Sequence, residues 1–166
     1  MDIKKYNMGS YFAIGLSFIN IILFFMPFTF SRIIPSQISA YGMFLNMFDP
    51  VHAEGVGASL LNAGYNEGVG VVYSVYAYII PIMAVVFLCF SVMIMVYSFV
   101  DLYGLRANKK LVTYLSYALV IILVIISILL IIRSGQVAGG IGIGYGLVMA
   151  FVTSSILAVM RYLKIQ

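Results

Sequence analysis

The sequence predicts an all-α membrane protein: a bundle of four transmembrane helices, both termini cytoplasmic, with one long outer loop between the first two helices. Three observations lead there. Hydrophobic residues make up 64% of the 166 and charged residues only 8%, where soluble domains carry about 25% charged. A water-soluble fold of this size leaves too much surface wet to hide that much apolar material. The apolar residues fall into four long runs almost free of charge, each of bilayer length. The lysines and arginines are distributed unevenly between the two ends of those runs.

The first run covers 8–30, "MGSYFAIGLSFINIILFFMPFTF". Lys4 and Lys5 precede it as they would in a signal peptide, but the apolar part is too long and no A-x-A-like site follows. A retained helix is expected. The second run covers 72–100 and contains Pro81. The third, 111–132, is "LVTYLSYALVIILVIISILLII"; at ~1.5 Å per residue it reaches ~33 Å, enough for a hydrocarbon core of ~30 Å. The fourth covers 141–162, and the whole chain 1–166 reads as one polytopic membrane domain.

The outer loop, 31–71, is the one connection long enough to hold structure of its own. In "PSQISAYGMFLNMF", Ile38, Tyr41, Leu45 and Phe48 recur at helical spacing. They predict a short helix over about 36–48, lying on the membrane surface or capping the bundle. Asp49-Pro50 stops it, because proline disfavours helical geometry in the residue before it. The glycine-rich "VHAEGVGASLLNAGYNEGVGV" then reads as a turn, a short helix around 59–63 and another turn.

Orientation follows from the basic residues. Lys4, Lys5, Arg106, Lys109, Lys110, Arg161 and Lys164 lie at one end of the spans, against Arg32 and Arg133 at the other. Cytoplasmic loops are the Lys/Arg-rich ones, so both termini are expected inside. Asp49, Glu54 and Glu67 fall outside. Tyrosines cluster near both predicted boundaries, at Tyr6, Tyr11, Tyr97, Tyr103, Tyr114, Tyr117 and Tyr162 and at Tyr73, Tyr76, Tyr78 and Tyr145, as amphipathic rings at headgroup level do. The net charge of +4 is thus an orientation signal and needs no nucleic-acid partner.

Several chemistries lack their residues. The single cysteine, Cys89, forms no intramolecular disulfide and reads as a packing residue. His52, the one histidine, stands near Asp49 and Glu54, but three residues of one loop without a second cluster read as solvated side chains, not as metal ligands. No nucleophile–base–orienter set can be assembled, so no catalytic residue, cofactor or metal is expected and the chain is not read as an enzyme. The central part of every span is free of Asp, Glu, Lys, Arg and His, the groups that mark proton and ion pathways. The first-helix glutamate on which transporters of the small multidrug resistance type depend is missing.

The glycines of "SGQVAGGIGIGYGLVMA" (134–150) do not bind nucleotide. From Gly140-x-Gly142 the third fingerprint glycine would fall at Tyr145, and from Gly142-x-Gly144 at Leu147. Gly135, Gly139 and Gly140 are expected to form a tight turn between the third and fourth runs. Gly142, Gly146, Ala150, Ser154 and Ala158, each four apart, are expected to form a small-residue stripe along the fourth helix. Gly9, Ala13 and Ser17, continued by Asn20, form a shorter stripe on the first. The expectation is that these two helices pack through their stripes, with Asn20 bonded to a hydroxyl or carbonyl of the fourth; another subunit facing the same stripe is the alternative.

The layout of a long first outer loop, a short inner loop and a short second outer loop resembles that of claudin-type tetraspan proteins, without the tryptophan motif and paired cysteines of a claudin first loop. The functional expectation is a non-enzymatic accessory or scaffold subunit of a membrane assembly. A subunit of a transporter, pore or peptide export or immunity system is the alternative. The expected partners are the lipid bilayer and other membrane proteins or further copies of the chain, with no nucleotide. The expected location is the cell membrane, and the Ile-, Lys- and Tyr-rich, Trp-free usage fits the cytoplasmic membrane of a bacterium.

Overall fold

Two of the apolar runs, 8–30 and 141–162, are only partly helical, and each also holds strand residues. The computed structural model describes residues 8–31, 37–48, 63–64, 72–73, 76–105, 108–136 and 141–163. In order they form α1 (Met8–Leu23), β1 (Pro27–Ser31), β2 (Gln37–Ser39), α2 (Ala40–Phe48), β3 (Ala63–Gly64), β4 (Val72–Tyr73), α3 (Tyr76–Leu102), α4 (Lys109–Gln136), β5 (Ile141–Ile143) and α5 (Tyr145–Tyr162). Within α3, α4 and α5 lie three segments long and apolar enough to cross a membrane, and α1 is a shorter apolar helix.

The chain is mostly helical, as expected, with two small sheets added to the expected helices. β1 pairs antiparallel with β2 on one side and β5 on the other, and β3 pairs with β4. The run 8–30 breaks because Pro27 disfavours helix at the preceding residue, and its aromatic and β-branched tail "PFTFS" suits a strand. The run 141–162 likewise starts as strand, so Gly142 belongs to β5 and not to a helical stripe. Residues 72–73 are strand and not the start of the second span. Helix α4 outruns its expected limits and takes in Gly135, which is therefore not a turn residue. The loop helix begins at Ala40 and not near 36, because 37–39 pair with β1. Ala63 is in a strand and not in the helix expected at 59–63, whose other residues lie outside the described ones. So do Lys4, Lys5, Arg32, Asp49, His52, Glu54, Glu67, Arg106, Gly139, Gly140 and Lys164.

Local chemistry sets the helix ends. The Ser39 Oγ accepts from the Gly42 N–H at 3.0 Å and opens α2, and the Asn108 Oδ1 accepts from the Leu111 N–H at 3.1 Å and opens α4; both are side-chain N-caps. Gly104, at φ 74°, closes α3, with its own N–H bonded to the Asp101 carbonyl and that of Leu105 to Val100. This is a Schellman termination, which needs a residue tolerant of the left-handed region. Helix α3 runs through Pro81 without a break.

The four longer helices close a ring: α1 packs on α3 and α5, and α4 on the same two. The interior is filled by Ile80, Ala84, Phe87, Ile94, Leu119, Leu123, Ile126 and Leu157, all essentially inaccessible. Ser91 and Ser116 are buried too, but their hydroxyls donate to carbonyls of their own helices, Phe87 at 2.9 Å and Val112 at 2.8 Å, the usual way a serine is satisfied inside a helix. The outer surface presents Phe18, Ile22, Ile121, Ile128, Val148 and Val152 among other large apolar side chains. Helix α2 packs against α3, and the three-stranded sheet sits beside the last turns of α4 and the first of α5. The ring thus has a sheet end, and a basic end that carries Lys109, Lys110 and Arg161.

Candidate functional site

Two polar assemblies connect helices across the ring, one inside the bundle and one at its basic end. The first grows from the buried face of α1, made of Gly9, Ser10, Ala13, Ser17, Asn20 and Leu23. Positions 10, 13, 17 and 20 alternate steps of three and four, which keeps them on one side of a helix. That side is small or polar at each of these positions, so it can press closely on a neighbour.

The neighbour is α5, which buries Gly146, Leu147, Ala150, Thr153, Ser154, Leu157 and Ala158. Asn20 is fully buried. Its Nδ2 donates to Ser154 Oγ at 3.1 Å, and its Oδ1 accepts a short bond from Thr153 Oγ1. The Thr153 hydroxyl also lies 3.0 Å from the Met149 carbonyl and 3.1 Å from that of Ala150. One amide thus fastens two helices whose bonded residues lie 134 positions apart. Ser17, one turn away on α1, is buried with no partner for its hydroxyl among the described residues, as is Ser98 of α3.

Of the small-residue positions, Gly9, Ala13, Ser17 and Asn20 on α1 and Gly146, Ala150, Ser154 and Ala158 on α5 are all buried. Gly142 is displaced into β5, where it pairs with Phe30 of β1 and lies under its ring. The glycine that sequence reasoning missed is Gly144. Its N–H donates to the Phe28 carbonyl at 2.7 Å, and a Cβ there would fall on the Pro27 carbonyl oxygen and 2.7 Å from the Phe28 carbonyl carbon. A Cβ on Gly146 would stand 2.7 Å from the same Pro27 oxygen. The α1–α5 pair continues directly into β1–β5, and two glycines admit the Pro27 backbone at the junction. The signal was present: glycines at 142, 144 and 146 repeat with the strand period of two before the helical period of four takes over.

The second assembly centres on Asp101 near the end of α3. Its Oδ2 accepts from Ser10 Oγ of α1 at 2.6 Å, and its Oδ1 lies 3.9 Å from Lys109 Nζ of α4. It also stands close enough to act electrostatically on Arg161 of α5. One carboxylate therefore touches or influences a residue on each of the other three ring helices. With the Lys109 side chain 48% exposed, the short bond to Ser10 outweighs the long ion pair, since exposed pairs are worth little. Asp101→Leu is expected to cost about 1–3 kcal/mol by stranding Ser10 and the cations, and Asp101→Asn, which keeps an acceptor, less than half as much. Thermal unfolding in detergent measures both, and equal losses would show that the hydrogen bond is not what matters.

Among the described residues no three of His, Cys, Asp and Glu gather where they could hold a metal ion. The Asn20 and Asp101 assemblies each bond side chains of different helices. No family model matches this chain, and no curated protein or solved structure matches it either.

Proposed function

We propose that this chain is a four-span integral membrane protein with both termini cytoplasmic, acting as an accessory or scaffold subunit of a membrane assembly and carrying out no chemistry of its own. The observation that supports this reading is the filled interior. Phe87, Leu119, Leu123, Ile126 and Leu157 occupy the ring with at most 1% exposure, and interhelical bonds from Asn20 and Asp101 tie the ring shut. Among the described residues, a ring interior packed with its own side chains leaves little room for a solute. The apolar outer surface is suited to lipid and to other membrane helices.

The unpartnered hydroxyls of Ser17 and Ser98 favour one second reading, a subunit of a transporter, pore or export system whose helices rearrange to expose them. Reconstitution separates the two. The purified protein in liposomes is expected to pass potassium, protons and small solutes no faster than empty vesicles. Extraction in mild detergent is expected to retain a stoichiometric membrane partner or further copies of the chain. Flux that is abolished by Ser17→Leu would overturn the scaffold reading in favour of the second.

A further inference from the structure

The helices of the ring share a base but differ in height. Ser10, Asp101 and Lys109 meet at the basic end, with Arg161 close by. At ~1.5 Å per residue α3 rises ~38 Å from Asp101 to Tyr76, and α4 rises ~40 Å from Lys109 to Gln136. On the same scale α1 rises only ~20 Å from Ser10 to Leu23. Charged groups are costly inside hydrocarbon, so the basic end marks one face of the apolar slab. The opposite face lies ~30 Å away, well above the top of α1.

The chain continues above α1 as β1, and α2 starts at the level where α1 ends. The Tyr41 N–H donates to the Phe24 carbonyl at 3.2 Å, which pins the start of α2 to the turn just beyond α1, ~21 Å above the base. The Tyr41 ring stands 5.3 Å from that of Phe25. Ala40 and Met43 are buried, while Tyr41, Leu45 and Phe48, spaced along one side, are exposed, Phe48 by 68%. The nine residues AYGMFLNMF carry no charge. Two of the N–H groups at the start of the helix are already bonded, Tyr41 to Phe24 and Gly42 to Ser39, as low-dielectric surroundings demand.

We propose that α2 is embedded among the lipid acyl chains of the leaflet opposite the basic end, with Tyr41, Leu45 and Phe48 facing lipid, so that α1 and α2 together complete a span that α1 alone cannot. The described residues 37–48 then lie within the membrane instead of outside it. This rests on the four-span reading.

The chain contains no tryptophan, so a single introduced indole reports without background. Leu45→Trp and, separately, Phe48→Trp are reconstituted in vesicles of phosphatidylcholine brominated on its acyl chains, with Ile121→Trp, exposed midway along α4, as the reference. Bromine quenching of both α2 tryptophans to within twofold of the reference, with aqueous iodide ineffective, is the expected result. Iodide quenching without bromine quenching would place α2 in water, and protection from both would mean that protein covers it; either overturns the proposal. A reference tryptophan at Ile121 that bromine fails to quench would overturn the spanning reading itself, and the proposal with it.

Discussion

Replacing Gly144 by alanine is expected to destabilise the fold by about 2–3 kcal/mol, the upper range for forcing extra volume into a packed site. For a chain of this length that corresponds to roughly 4–12 °C in the midpoint of thermal unfolding. The backbone at Gly144 is extended, with φ −78° and ψ 159°, which any residue adopts. The cost therefore comes from close approach alone. The added Cβ meets the Pro27 carbonyl and the Phe28 carbonyl carbon, main-chain atoms held by the β1–β5 pairing, and main chain cannot swing aside as a side chain can. Gly142→Ala provides the contrast. The three atoms nearest its Cβ are all at the far end of the Phe30 ring, a side chain 37% exposed, so a smaller loss of about 1 kcal/mol is expected. Thermal unfolding of the two variants in the same detergent decides. If Gly142→Ala proves the more damaging, the junction between α1–β1 and β5–α5 is not built as described.

Asn20→Ala is expected to cost about 2 kcal/mol, because it empties a fully buried site and removes both bonds between α1 and α5. The more telling result is its coupling to Thr153→Val. Interhelical bonds of this kind carry about 0.6–1.7 kcal/mol by double-mutant cycle, so the double variant should lose that much less than the sum of the singles. Ser116→Ala should show no coupling with Asn20→Ala, since Ser116 bonds only within its own helix. Strict additivity between Asn20 and Thr153 would remove the amide as a fastener of the two helices.

How much of this was legible depended on range. Composition located the apolar helices, and the small residues expected to pack on α1 and α5 are buried on those helices, apart from Gly142, which falls in β5. The helix ends were less visible. Apolar content alone does not separate helix from strand in "FFMPFTF", and only Pro27 with its aromatic neighbours hinted at the change. The glycine series at 142–146 was read with period four because the residues after it keep that period, while its first members follow period two. Nothing in the sequence singled out Asp101. Its role comes from Ser10, 91 positions away, and no stripe of small residues pointed to that pairing as one did for Asn20. The cap at Ser39 was readable in principle: a serine three residues before Gly42 and at the edge of an apolar period is the local mark of a helix start.

The 134 positions between Asn20 and Ser154 also measure a delay in biogenesis. At ~5–20 residues per second, a ribosome needs about 7–27 s to reach Ser154 after placing Asn20. Throughout that interval the Asn20 amide has neither Thr153 nor Ser154 to bond. Synthesis of α5 ends it. Nascent chains arrested before α5 should therefore be the ones that chaperones retain and proteases remove.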